Sequence, residues 1–139
     1  MTTDLKMLLY VSVITLLMWL PYILAHLANV GIMAGLTYRG DSTPLPDWAA
    51  RAKKAHYNAI ENLVPFAALV IIAHLTNAAD EATAIAAITY FWARVAHYLF
   101  YISAIPFTRT LSFTVGWLAM ACIAWQIWAA VGTTPATSG

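Results

Sequence analysis

Four apolar stretches, each about as long as a bilayer is thick, divide this chain and leave little of it outside them. They run from Met7 to about Val30, from about Asn62 to Ala79, from Ala82 to about Ile105, and from Leu111 to about Val131. A helix needs about 20 apolar residues to cross the hydrocarbon. Helices also satisfy every backbone group internally, which lipid demands. The expected fold class is an all-α integral membrane protein, a four-transmembrane-helix bundle, with residues 1–139 forming one domain. Composition agrees: 62% of the 139 residues are hydrophobic and 9% charged, against about 25% charged in a soluble domain. The net charge of +1 leaves no basic footprint for nucleic acid. Cys122, the single cysteine, excludes an internal disulfide and a cysteine-based zinc site, and no metal site is expected. The first apolar run outlasts a signal-peptide core of about 7–15 residues and reads as a retained span.

The connections differ in character. "AADEA" is a short acidic break, and "IPFTRT" is punctuated by Pro106. "GLTYRGDSTPLPDWAA" is long, rich in Gly, Pro, Asp and Ser, and reads as loop. Pro21 predicts a kink in the first span. The closing "GTTPATSG" reads as frayed. Arg39, Arg51, Lys53 and Lys54 cluster in or just after the long connection, and Arg109 falls in the third. The positive-inside rule then makes the long connection cytoplasmic and puts both termini outside, with Trp125 and Trp128 in an outer interfacial belt.

Polar residues crowd the threshold of the second span in "RAKKAHYNAIENLVPF". Arg51, Lys54, Asn58, Glu61 and Pro65 recur at intervals of three and four, which places them on one helical face. Glu61 lies about 15 Å of helix rise beyond Arg51. The third span carries its own stripe of Tyr90, Arg94, His97 and Tyr101, with Arg94 near mid-membrane. A charge there costs at least about 2.5–3.5 kcal/mol and faces protein or a water-filled cavity. Glu61 and Arg94 are the expected mutual partners.

Two readings of these stripes stand at this point. One is a structural ion pair buttressed by Asn58 and Tyr101, in a non-catalytic helical membrane protein. The other is an anion-attracting pocket, because Arg51, Lys54, Asn58, Glu61, Arg94, His97, Tyr101 and Arg109 exceed what one ion pair requires. A zwitterion with an amine and several carboxylates, such as a small peptide, suits one carboxylate among several cations. Bis-histidine haem ligation by His26 and His97 is feasible in a bundle, but no histidine pair carries a distinctive motif.

The same residues resemble the MAPEG family, membrane-associated proteins of eicosanoid and glutathione metabolism. Its second-helix signature appears as "RAKKAHYNAIEN", with Arg51, Lys54-Ala55, Asn58 and Glu61 in place. Its third-helix signature appears as "ARVAHYLFY", and the basic residue opening the last helix appears in "RTLSF". The resemblance implies a homotrimer that binds glutathione as co-substrate between neighbouring subunits. It also implies a glutathione transferase or peroxidase acting on lipophilic small molecules drawn from membrane lipid. Asn58 and Glu61 would hold the peptide backbone and amine. Lys54 and Arg51 would meet the carboxylates, with Arg94, His97 and Tyr101 lining the cleft. Arg109 would stabilise the thiolate and Thr110 would donate a second hydrogen bond to sulfur. A thiol of pKa about 8.5 is mostly protonated at neutral pH, so an adjacent guanidinium favours the reactive form.

Overall fold

The computed structural model describes residues 1–133, and the expected frayed tail from residue 134 lies outside them. Every regular element among the described residues is helical: α1 (Thr3–Leu17), α2 (Leu20–Val30), α3 (Ile32–Gly35), α4 (Asp47–Leu75), α5 (Glu81–Ser103) and α6 (Thr108–Thr133), with one 3-10 turn at Tyr38–Gly40. Three stretches are long and apolar enough to cross a membrane: Thr3–Val30, Asp47–Leu75 and Thr108–Gly132. The shorter α5, of 23 residues, is the one interrupted by Arg94 and His97.

The first span is broken rather than merely kinked. Pro21 has no N–H to give the Leu17 carbonyl one turn earlier, so the ladder lapses at Met18 and Trp19. The Tyr98 hydroxyl on α5 donates to the Met18 carbonyl at 3.2 Å and so ties the break to the bundle. α4 begins at Asp47, ahead of the apolar run from Asn62 and inside the stretch expected as loop. Pro46 precedes it, the Ala50 N–H bonds the Pro46 carbonyl at 2.9 Å, and α4 then runs unbroken through the whole polar stretch. The hydrophobic threshold marks where this helix turns apolar, not where it begins.

The long connection is partly ordered, through α3 and the 3-10 turn. Gly40 permits its fold-back over α2, since a Cβ there would lie 2.7 Å from the Ala34 carbonyl oxygen and 3.2 Å from His26 Nε2. The acidic break closes on a capping box: the Thr83 N–H donates to Asp80 Oδ1 at 2.8 Å, and the Asp80 N–H donates to the Thr83 hydroxyl at 2.9 Å. Such a box is worth about 1 kcal/mol.

The core lies where α1, α4, α5 and α6 meet, around Val11, Phe66, Val70, Tyr90 and Ile123. Phe66 and Tyr90 stack with ring centroids 3.8 Å apart. Ala73, Ala86, Ala87 and Ala119 let the backbones approach, the device expected of helices packing without help from water. Outside, Leu16 (67% exposed), Val64 (68%) and Trp128 (77%) face away from the chain, a surface suited to lipid or to further protein rather than to water.

Candidate functional site

Arg94 is the centre of the polar interior. It is 3% exposed, and its Nη1 donates to Asn58 Oδ1 across the α4–α5 contact at 3.1 Å. Its guanidinium carbon lies 5.5 Å from the Tyr90 ring centre and 5.6 Å from that of Phe113 on α6. Gly116 makes the room: a Cβ there would approach Arg94 Nη2 to 3.2 Å. The buried Nε–H has no partner, and no carboxylate pairs with this guanidinium among the described residues.

The expected Glu61–Arg94 pair is therefore not formed. Glu61 is exposed and makes neither hydrogen bond nor ion pair with the described residues. The reason is angular. Three residues advance a helix by about 300°, so Glu61 sits about 60° around α4 from Asn58 and clears the α5 contact. Asn58 takes the arginine; Glu61 faces outward.

One turn along α5, His97 is 4% exposed. Its Nδ1 lies 3.1 Å from the Arg109 carbonyl oxygen, which can only accept, so Nδ1 carries the proton and Nε2 is left as a buried acceptor without a partner. Ser112 donates to the Thr108 and Arg109 carbonyls at 2.9 and 3.0 Å, so the first turn of α6 is held by both side chains. Tyr101 meets His97 edge-on at 5.6 Å, and the Arg109 guanidinium lies 5.0 Å from the Tyr101 ring centre. At the same end Arg51 Nε donates to the Ile102 carbonyl at 2.9 Å, using a carbonyl that the end of α5 leaves free. Arg51, Tyr101 and Arg109 then share a 230 Å³ cavity with Phe107 and Pro106.

Lys54 stands apart from this group. It lines a wider groove of 890 Å³ between α2 and α4, with Lys53, His26, Tyr22, Tyr57 and Asp41. Thr110 is exposed on the first turn of α6, and its hydroxyl bonds to none of the described residues. The structure thus gathers Arg51, Asn58, Arg94, His97, Tyr101 and Arg109, and leaves Lys54, Glu61 and Thr110 on open surface. His26 and His97 do not pair: one faces Gly40 and the α2 groove, the other the Arg109 carbonyl.

Four residues escape a reading of spacing alone. Tyr22 and His56 bond across α2 and α4 at 3.0 Å, yet His56 sits in sequence among lysines. Asn62 donates from Nδ2 to the Asn58 carbonyl at 2.8 Å. Gly116 is the one with a legible signal, since a glycine inside the apolar run "FTVGWL" marks a close approach.

A helical fold with spans of membrane length, built around a buried guanidinium and an arginine-lined end cavity, defines a membrane protein with a polar interior. The chain belongs to the MAPEG family, whose model matches residues 7–129. This is a family of glutathione-related helical membrane proteins, microsomal glutathione transferases among them. No curated protein and no solved structure matches the chain.

Proposed function

We propose that this protein binds glutathione and uses it as a transferase or peroxidase on lipophilic electrophiles or hydroperoxides. The observation that carries the reading is Arg94: a guanidinium 3% exposed, with a neutral partner and, among the described residues, no carboxylate. Burying an uncompensated charge costs several kcal/mol. A structural ion pair would have offset part of that cost, and Glu61 does not supply it. A ligand carrying carboxylates, bound close by, offsets part of it.

Four membrane-crossing helices, counting α5, keep both termini on one side, and the Lys and Arg residues in and after the long connection favour the cytoplasm for that connection and the outside for the termini. Arg51 and Arg109, facing one cavity beside Tyr101, give the carboxylates or the sulfur of glutathione two cations to meet. Arg109 holds the thiolate, and Thr110 reaches the sulfur from the same turn. Lys54 and Glu61, exposed on the neighbouring face of α4, complete the site from the side a second copy would cover. That division, together with the outward apolar surface, favours assembly with glutathione between subunits, and the family resemblance supports a homotrimer as that assembly.

The test is thermal unfolding of the detergent-purified protein with and without glutathione. Saturation to about 100 times Kd stabilises by about 2.7 kcal/mol, and Arg94→Gln should abolish the response. An unchanged Tm in millimolar glutathione refutes the reading and returns the polar stripes to a purely structural role.

A further inference from the structure

A second groove adjoins the Arg94 site at one end, and its chemistry changes along its length. It runs between α4 and α6, has a volume of 660 Å³, and is walled by Pro65, Leu69, Met120, Ala124 and Trp128. That volume is in the range of roughly 300–1,000 Å³ typical of small-molecule sites. Both helices run away from the side of the long connection. The groove therefore starts at Asn62 and Trp117 and ends at Trp128. Apart from indole nitrogens, Asn62 is the one polar side chain lining it.

The orientation of Asn62 is fixed by its neighbour. Its Nδ2 lies 2.8 Å from the Asn58 carbonyl oxygen, which can only accept, so Oδ1 points elsewhere and receives no hydrogen bond from the described residues. The polar end of the groove thus presents the Asn62 amide, with one acceptor oxygen and the remaining Nδ2–H. Asn58 joins it to the buried guanidinium, with its carbonyl bonded to Asn62 and its side chain to Arg94.

Resting on the glutathione reading above, we propose that Asn62 is a specificity-determining residue that selects lipophilic substrates whose reacting group carries an O–H, namely long-chain hydroperoxides. A hydroperoxide offers one O–H donor and acceptor oxygens, the complement of this floor. An aprotic electrophile such as a chloronitroarene leaves the Asn62 oxygen unpaired, and a site built to bond a donor discriminates against a substrate lacking one. The hydrocarbon tail lies along Leu69, Met120 and Ala124 toward Trp128.

The reaction balances with a second glutathione. The thiolate attacks the terminal peroxide oxygen; the S–O bond forms as the O–O bond breaks, and its electron pair leaves on the alkoxide. The alkoxide takes up the proton the first thiol released, giving the alcohol. A second glutathione thiol then displaces water from the sulfenic acid to give the disulfide. Two thiols are oxidised and one hydroperoxide is reduced.

The experiment compares linoleic acid hydroperoxide with 1-chloro-2,4-dinitrobenzene in the detergent-purified full chain. In Asn62→Leu the ratio of the two kcat/KM values should fall by about tenfold, the scale of one lost hydrogen bond. An unchanged ratio, or an equal fall for both substrates, overturns the proposal. If Asn62→Leu does not fold, Ala124→Trp, which fills the groove, should depress turnover of the long-chain hydroperoxide far more than that of tert-butyl hydroperoxide. Equal depression overturns it as well. A Tm that responds to glutathione without hydroperoxide consumption rejects this inference alone, whereas a Tm that ignores glutathione rejects the reading beneath it.

Discussion

Asn58 on α4 accepts a hydrogen bond from the Arg94 guanidinium on α5 at 3.1 Å, and this neutral amide is, among the described residues, the one hydrogen-bond partner of a nearly fully buried cation. Replacing it separates structure from binding. Asn58→Leu removes the acceptor and should destabilise the ligand-free protein by about 1.5–3 kcal/mol, the range for hydrogen bonds to charged groups. Asn58→Asp should instead raise the ligand-free Tm while shrinking the increment that glutathione adds, because the carboxylate already compensates Arg94. Thermal unfolding of both variants checks this, and an Asp variant less stable than wild type would count against an uncompensated charge.

Glu61 makes the opposite prediction, since it is exposed and bonds to nothing among the described residues. Glu61→Gln should leave ligand-free stability within about 0.5 kcal/mol, as surface changes do. If Glu61 meets the amine of glutathione, affinity should fall about tenfold, the cost of one charge-assisted bond. Calorimetric titration of the folded variant reads that loss directly.

Arg109 separates binding from chemistry. With its guanidinium 5.0 Å from the Tyr101 ring centre at the open end of α6, it is placed to act on sulfur without supporting the fold. Arg109→Ala should lower the rate of chloronitroarene conjugation at least about tenfold while the thermal response to glutathione survives. Equal activity in the variant would move thiolate stabilisation to another residue.

Gly116 tests the packing that seats Arg94. An added Cβ would come within 3.2 Å of Arg94 Nη2, and a β-branched side chain cannot withdraw. Gly116→Val should cost about 1–3 kcal/mol, the usual range for overpacking. A Val variant as stable as wild type would mean that α5 and α6 separate more readily than this contact implies.

Much of this architecture is legible in sequence because lipid leaves few choices. Apolar length located the spans, and three-and-four spacing foretold the grouping of Arg51 with Asn58 and of Arg94, His97 and Tyr101. What spacing does not carry is angular resolution finer than a helix face. Lys54 and Glu61 share the stripe with Asn58, yet rotations of about 40–60° put them on open surface while Asn58 meets α5. Backbone partners are equally hidden. Arg51 and His97 read as ligand groups, but their bonds go to the Ile102 and Arg109 carbonyls, which no side-chain pattern announces. Composition carried the first connection too far for a related reason: Asp47 to Ala50 read as loop beside Pro46, yet they form the first turn of α4.

The break at Met18 and Trp19 makes α2 a separate lever within the first span. It is detached from α1 at one end and closed at the other by Gly31, whose φ of 84° no helix continues through. Tyr22 bonds to His56 and latches the lever, Tyr98 bonds to the Met18 carbonyl and pins its fulcrum, and the His56 ring also meets the Thr15 backbone. The wall of the groove that holds Lys53 and Lys54 is therefore a short helix of its own, seated on α4 through Tyr22 against Ala49 and Ala52.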